Sequence, residues 1–200
     1  SAPVRIIENE APKGFGENHN AAFQHCRSEY FCVVNPDIRL HQNPLPVLRS
    51  CLQSQHAGVV GPRVVNPGGW LEDSARPFPS PMSVLRKLVG NRAASLYPEN
   101  AVPENPDWIA GMFMMFDARA FAQLGGFDEG YFLYYEDADI CARLTHADWP
   151  IVYCKEAEVV HDARRDSHRK LRYLKWHLNS MLRFFGKHYG RLLTSKATSV

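Results

Sequence analysis

Short apolar stretches alternate along this chain with longer amphipathic stretches. The apolar stretches are rich in β-branched and aromatic residues and are bounded by Gly, Pro or Asn, which is typical of strands. They cover residues 4–7, 30–34, 58–61, 108–116 and 150–154. The amphipathic stretches predict helices over residues 18–27, 44–54, 82–89, 117–124 and 136–147. This alternation predicts an α/β domain with a mostly parallel or mixed sheet and flanking helices.

One interruption of this pattern is long. Residues 66–81 read "NPGGWLEDSARPFPSP", which is too rich in Pro and Gly for regular secondary structure. Long loops in compact domains are often functional and frequently cover substrates. We therefore predict a substrate lid over this segment.

Length and composition limit the class of protein. The chain has 200 residues, 45% of them hydrophobic, which suits one sizeable globular domain. No stretch reaches the roughly 18 consecutive apolar residues of a membrane span, and the first residues lack the plan of a signal peptide. The five cysteines are odd in number and form no CxxC pair, so neither a disulfide framework nor a zinc knuckle is indicated. We expect a cytoplasmic protein in a reducing compartment.

Charge divides the chain into two parts. Residues 1–163 contain 13 Lys and Arg against 20 Asp and Glu, whereas residues 164–200 contain 10 against 1. We expect a catalytic domain over 1–163 and a basic helical extension over 164–200. Apolar residues recur at helical spacing in this extension, at Leu171, Leu174, Leu178, Met181, Leu182 and Phe185. Such a helix either packs on the domain or contacts an anionic membrane through residues 164–191. No nucleic-acid motif accompanies the charges.

Two acidic segments are candidates for chemistry. Asn35-Pro36-Asp37 follows the strand at 30–34, and a carboxylate there could hold Mg²⁺ or Mn²⁺, although the same residues also suit a plain turn. Glu136, Asp137 and Asp139 follow a run of aromatics. Acids favour the first turn of a helix, so a catalytic base and a helix cap are both open interpretations. Asp139 lies four residues before Arg143, and we assign that pair to structure.

Six motifs, in order, resemble the inverting glycosyltransferases of family 2. They are "GFGENHNAAF", "NPDIRL", "VGPRVVNPGG", "WIAGMFMMFDARAF", "GFDEGYFLYYEDADICAR" and "EVVHDARRDS". The closest similarity is to the rhamnosyltransferase-like members that build bacterial O-antigen and cell-wall polysaccharides. The resemblance implies a GT-A, Rossmann-like fold. The strand, turn and helix with which that family usually begins are not found before "VRIIENE", so we expect an N-terminally short catalytic domain.

The resemblance also implies roles for individual residues. Asp137 corresponds to the catalytic base, and Glu136 supports it or contacts the acceptor. Asp37 and His161 would hold the metal, which is Mn²⁺ or Mg²⁺. The donor-binding residues would be Gly14, Phe15, Asn20, Asn35, Asp37, Trp108 and Gly111.

The implied activity is inverting transfer of a rhamnose-like sugar. The donor would be a dTDP- or UDP-sugar. The acceptor would be a lipid-linked saccharide at the cytoplasmic face of the membrane. Two alternatives stay open, namely a non-catalytic domain that binds sugar nucleotides and a nucleotidyltransferase. No nucleic-acid partner is expected.

Overall fold

The computed structural model describes residues 4–88, 97, 101–162 and 171–195. Within these residues, six helices and seven strands follow one another along the chain. They are α1 (Phe15–Phe23), β1 (Tyr30–Val34), β2 (Ile38–Arg39), α2 (Leu45–Ser54), β3 (Val59–Val65), β4 (Ala75–Arg76), α3 (Pro81–Leu88), β5 (Trp108–Ile109), β6 (Phe113–Asp117), α4 (Ala118–Gln123), α5 (Glu136–His146), β7 (Ile151–His161) and α6 (Leu171–Ser195).

Five strands form the main sheet, in the order β1-β6-β3-β7-β2. Only β3 and β7 pair in parallel, and the other three pairings are antiparallel. The sheet is therefore mixed, as one of our two expectations had it, and a mostly parallel arrangement is not observed. The reason is that β6 lies between β1 and β3 and runs against both of them. The short strands β4 and β5 form a second, two-stranded sheet.

Hydrophobic residues cover both faces of the main sheet. Val59 packs into an aromatic cluster that includes Phe116 and Phe121 and that lies under α1, α4 and α5. The next residue, Val60, points to the other face and packs with Leu48 of α2. Successive strand residues alternate between faces, so a sheet buried on both sides reads as a continuous apolar run.

Most predicted elements are present with shifted ends. Asp117 caps α4, because its carboxylate accepts hydrogen bonds from the N–H groups of Arg119 and Ala120. The predicted strand at 108–116 is wrong as one element, since a turn at 110–112 divides it into β5 and β6. Residues 4–7 form no strand, because they lie exposed with no strand beside them. Residue 89 of the predicted helix 82–89 lies outside the described residues.

A disulfide joins Cys51 of α2 to Cys154 of β7. This corrects the expectation drawn from the cysteine count. The two residues are 103 positions apart in the sequence and meet only because α2 packs against β7. Cysteine spacing could not show that pairing.

Helix α6 presents one face to the protein and another to solvent. Ser180, Phe184 and His188 are buried. The leucines of the predicted stripe point outward, with exposed fractions of 86% at Leu171, 56% at Leu174, 44% at Leu178 and 67% at Leu182. We call these four residues the leucine face. Residues 163–170 and 196–200 of the predicted basic extension lie outside the described residues.

Among the described residues, no helix is both long and apolar enough to span a membrane.

Candidate active site

The Asn35-Pro36-Asp37 turn connects β1 to β2 at one edge of the site. The Asn35 N–H donates to the Met112 carbonyl at 3.0 Å, which places this turn beside the turn between β5 and β6. Strand β2 pairs with the end of β7 so that Ile38 lies opposite His161. This pairing brings Asp37 and His161 together, with 3.4 Å between Asp37 Oδ2 and His161 Nε2.

A third residue joins Asp37 and His161. Glu72, from the long loop, places Oε2 2.6 Å from His161 Nδ1. The Oδ1 atom of Asp37 is buried and has no hydrogen-bond partner among the described residues. A carboxylate and an imidazole are ligands that suit Mg²⁺ or Mn²⁺, so Asp37 and His161 Nε2 fit a divalent cation. Glu72 contacts the other ring nitrogen of His161 and orients the imidazole. The sequence analysis missed Glu72, whose only signal was an acid in a loop already considered functional.

The acidic residues of α5 follow two residues with unusual backbone conformations. Tyr134 and Tyr135 have φ angles of 73° and 68°, in the left-handed region that non-glycine residues seldom adopt. Such strained positions cluster at functional sites. The helix starts directly afterwards, at Glu136. Asp137 Oδ2 accepts a hydrogen bond from the Gly111 N–H at 2.9 Å, and Oδ1 accepts one from the Ala138 N–H at 2.8 Å.

Burial makes Glu136 and Asp137 unusual carboxyl groups. The low-dielectric surroundings and the charge of Asp137 raise the pKa of Glu136 to about 8. Burial also raises the pKa of Asp137, while the Gly111 N–H and the positive charge of Arg76 act in the opposite direction. Glu136 Oε2 has no hydrogen-bond partner among the described residues. We infer that near neutral pH the proton resides on Glu136 and the charge on Asp137, since only Asp137 receives backbone hydrogen bonds from its neighbours in space.

Three of the predicted donor residues border this acid pair. A side chain at Gly111 would place its Cβ 3.2 Å from the Phe15 ring, so glycine permits the close approach. The Phe15 N–H donates to the Phe132 carbonyl at 3.0 Å, and Gly14 packs against the same carbonyl. The structure thus brings Gly14, Phe15 and Gly111 to the acid pair, and the contact between Asn35 and Met112 brings the Asn35 turn beside them.

Two predicted donor residues have structural contacts instead. The Asn20 amide accepts from the Phe127 N–H and donates to the Phe127 carbonyl, both at 2.9 Å, which fixes the loop before α5. Trp108 is 8% exposed, and its indole N–H donates to the Pro77 carbonyl at 3.0 Å. Its ring face lies under the Arg76 guanidinium.

Helix α6 is tied to α5 through a buried carboxylate. Asp139 is fully buried, and its oxygens lie 2.7 Å from Arg143 Nε, 2.7 Å from His188 Nε2 and 2.8 Å from Lys187 Nζ. The Tyr131 hydroxyl adds a hydrogen bond at 3.3 Å. The predicted structural pair of Asp139 with Arg143 is confirmed, and Lys187 and His188 of α6 extend it.

Other contacts of α6 support the strained tyrosines. The Ser180 hydroxyl donates to the Leu133 carbonyl at 2.9 Å. The His177 ring packs against both Tyr134 and Tyr135. Arg183 binds Asp128 in the same loop at 2.8 Å. The segment that leads into the acid pair is therefore held from one side by the inner face of α6.

The mixed sheet with flanking helices has the GT-A fold of the solved glycosyltransferases named below. The sequence model of glycosyl transferase family 2 matches residues 1–124. The chain belongs to this family.

Named relatives agree with that assignment. The chain is 30% identical over 190 residues to rhamnosyltransferase WbbL of Escherichia coli, and the match covers 87% of this chain and 70% of the relative. It is 33% identical over 143 residues to an N-acetylglucosaminyl-diphospho-decaprenol L-rhamnosyltransferase of Mycobacterium tuberculosis. That match covers 66% of this chain and 47% of the relative, so this chain spans about half the length of the mycobacterial protein.

Solved structures share the fold at low sequence identity. The mannosyltransferase PcManGT from Pyrobaculum calidifontis, in complex with GDP-Man and Mn²⁺, matches with a TM-score of 0.55 and 15% identity, over 82% of this chain and 41% of that one. GalNAc-T7 with UDP, GalNAc and Mn²⁺ matches with a TM-score of 0.60 and 12% identity, over 81% and 32%.

Proposed function

We propose that this domain catalyses inverting transfer of a sugar from a nucleoside-diphosphate donor to a saccharide hydroxyl. The observation that carries this proposal is the half-buried Asp137 carboxylate, which the Gly111 N–H holds beside the Asn35-Pro36-Asp37 turn. A carboxylate in that position can accept the proton of an acceptor hydroxyl as the hydroxyl oxygen attacks the anomeric carbon. The family assignment and the named relatives support it.

The two members of the acid pair have different roles in this proposal. Asp137 is the base. The acceptor oxygen forms the new bond to the anomeric carbon, its proton passes to Asp137, and the bond to the nucleoside diphosphate breaks on the opposite face. Glu136 keeps its proton and can donate a hydrogen bond to the acceptor, because its pKa is raised to about 8.

We further propose that Asp37 and His161 hold Mn²⁺ or Mg²⁺, and that Glu72 fixes the orientation of the His161 ring. The unpartnered Oδ1 atom of Asp37 supplies a free ligand, and the solved structures named above contain Mn²⁺. A divalent cation would stabilise the negative charge of the diphosphate leaving group as a Lewis acid. Asn35, Gly14, Phe15 and the β5 end would then form the donor side of the site.

Replacing Asp37 with alanine should abolish the Mn²⁺-dependent part of nucleotide binding. We expect affinity for dTDP in the presence of Mn²⁺ to fall more than about 100-fold, because even changes outside the ligand shell of a metal cost about 10- to 100-fold. Calorimetric titration of dTDP, UDP and GDP with and without Mn²⁺ measures this effect. Asp162→Ala is the matched control, since Asp162 is adjacent to Asp37 but its carboxylate pairs with the exposed Arg39. Equal Mn²⁺ dependence in both variants would remove Asp37 from the metal site.

The names of the relatives suggest the substrates. Two of them are rhamnosyltransferases, and one of these names a diphospho-decaprenol acceptor. We infer that the donor carries a rhamnose-like sugar on dTDP or UDP and that the acceptor is a lipid-linked saccharide at the cytoplasmic membrane surface. Turnover assays with dTDP-rhamnose and a short-chain polyprenyl-diphosphate saccharide test both inferences together.

We also propose that the leucine face of α6 lies on an anionic bilayer. Its leucines are exposed, and the exposed Arg172 and Lys175 flank them. Leucine and basic side chains together are typical of helices in the membrane interface. The positive charges favour anionic lipid over a second copy of this face.

A double variant tests the membrane contact. Leu174→Ser with Leu178→Ser should weaken binding to phosphatidylglycerol vesicles by roughly tenfold or more, because each leucine loses apolar area buried in lipid. Sedimentation with vesicles measures it. Leu40→Ser is the matched control, since Leu40 is 53% exposed and lies outside α6. Unchanged vesicle binding, with loss of a concentration-dependent dimer instead, would assign the leucine face to a second copy of the chain.

A further inference from the structure

The long loop links the two halves of the proposed site. Glu72 contacts His161 beside the Asp37 turn. Four residues later, Arg76 lies opposite Trp108 in the pairing of β4 with β5. The turn that follows β5 contains Gly111, whose N–H donates to Asp137. Residues 72–76, which we call the strap, therefore run from the proposed metal ligands towards the proposed base.

The Arg76 guanidinium is fixed on two sides. Its Nε donates to the Asp73 carbonyl at 3.1 Å and lies 2.8 Å from Asp73 Oδ2. Its Cζ lies 5.0 Å from the centre of the Trp108 ring, so the group is packed over an indole that Pro77 holds in place. Among the described residues, its two terminal nitrogens make no hydrogen bond, although the positive charge of the group acts on Asp137. The side chain is 32% exposed, which leaves those nitrogens accessible to a ligand.

A guanidinium whose terminal nitrogens make no hydrogen bond within the protein can bind an oxyanion. Its planar fork matches phosphate oxygens, and such charge-assisted hydrogen bonds are stronger than neutral ones. The proposed reaction supplies a diphosphate on the donor and, for a lipid-linked acceptor, a second one. The strap connects Arg76 to Glu72, which contacts His161 beside Asp37. This connection to the proposed metal site, where the donor diphosphate would be held, favours the donor over the acceptor.

We propose that Arg76 binds the diphosphate group of the sugar-nucleotide donor. This inference rests on the proposed function. The role includes stabilising the charge that develops on the diphosphate as its bond to the sugar breaks. The sequence analysis singled out the loop as a lid but did not select this residue.

Nucleotide titrations test the inference by varying the number of phosphates. Thymidine, dTMP and dTDP, each with Mn²⁺, are titrated into wild type, Arg76→Met and Arg76→Lys. In Arg76→Met, affinity for dTDP should fall roughly 10- to 100-fold, the size expected for lost hydrogen bonds to a charged group, with thymidine binding unchanged. Arg76→Lys keeps the positive charge but loses the planar guanidinium, so its affinity for dTDP should lie between those of wild type and Arg76→Met.

Controls separate this inference from the proposed function. Arg63→Met removes an arginine of β3 that pairs with Glu158 at the surface, and it should bind dTDP like wild type. Thermal unfolding midpoints check that each variant is folded. Unchanged dTDP affinity in Arg76→Met would overturn the inference and leave the proposed function standing. If Arg76→Met weakens only a short-chain polyprenyl-diphosphate saccharide, Arg76 binds the acceptor and the donor assignment is wrong. A wild-type chain that binds no nucleotide would remove both proposals.

Discussion

Asp137→Asn should abolish sugar transfer while nucleotide binding persists. General base catalysis contributes about 10²- to 10⁴-fold, so the transfer rate should fall by that factor. The variant should still fold, because the amide oxygen of asparagine can accept the Gly111 hydrogen bond that Asp137 accepts now. Transfer to the acceptor is measured by nucleotide release, and dTDP binding is measured by calorimetry. Transfer at the wild-type rate would refute the assignment of the base.

Glu136→Gln is the informative comparison for Asp137→Asn. Glutamine has the shape and the donor capacity of a protonated carboxyl group, which is the form in which we infer Glu136 to act. This variant should therefore keep most of its activity at pH 7. In wild type, ionisation of Glu136 with a pKa of about 8 should add an inflection to the pH profile of kcat, and that inflection should be absent from the variant. Equal losses in both variants would show that the acid pair has no division of roles.

Asp139→Asn should cause the largest loss of stability. Removing one partner of a buried ion pair leaves the other charges unpaired and costs about 3–5 kcal/mol. Asp139 is fully buried, and its partners are Arg143 of α5 and Lys187 and His188 of α6. Urea unfolding of the variant and of wild type should show this decrease in the free energy of unfolding. Because α6 also holds the tyrosines before the acid pair, kcat should fall even under conditions where the variant is fully folded.

The same carboxylate predicts how stability depends on pH. Burial alone would raise the pKa of Asp139, but the hydrogen bond from His188 and the charges of Arg143 and Lys187 hold it well below its usual range. A lowered folded-state pKa means that this stabilisation is complete above the unfolded-state pKa of about 3.9 and is lost as pH falls below it. Asp139→Asn should lack this part of the acid transition. Asp128→Asn removes a more exposed partner of α6. It should lower the free energy of unfolding by only about 1 kcal/mol or less.

Local patterns predicted the elements of this fold better than their arrangement. Strand β1, helix α2 and the Asp117 cap follow from apolar runs, Pro44 and an N-cap residue, all of which act over a few residues. The directions of the strands do not follow from such local patterns. The placement of β6 between β1 and β3 depends on packing across the sheet, and no short stretch of sequence encodes it.

The candidate site shows the same limit. Asp37 and Asp137 could be selected because each follows a recognisable motif. Glu72 and Arg76 could not, since an acid and an arginine in a Pro- and Gly-rich loop become candidates only when the chain brings them to His161 and Trp108. The stripe of α6 was identified correctly, but its direction depends on which residues find buried partners. Asp139 attracts His188, and this turns the leucines outward.

The two faces of α6 determine how far the acid pair lies from a membrane that contacts the leucine face. An α-helix with its side chains is about 10–12 Å across. If the leucine face rests on a bilayer, the segment that carries the acid pair stands on the opposite side of the helix, about one helix diameter above the lipid surface. An acceptor hydroxyl that reaches Asp137 must then lie about a nanometre from the membrane. If the acceptor is lipid-linked as proposed, that separation would suit a hydroxyl close to the lipid end of the acceptor better than one at the end of a long glycan.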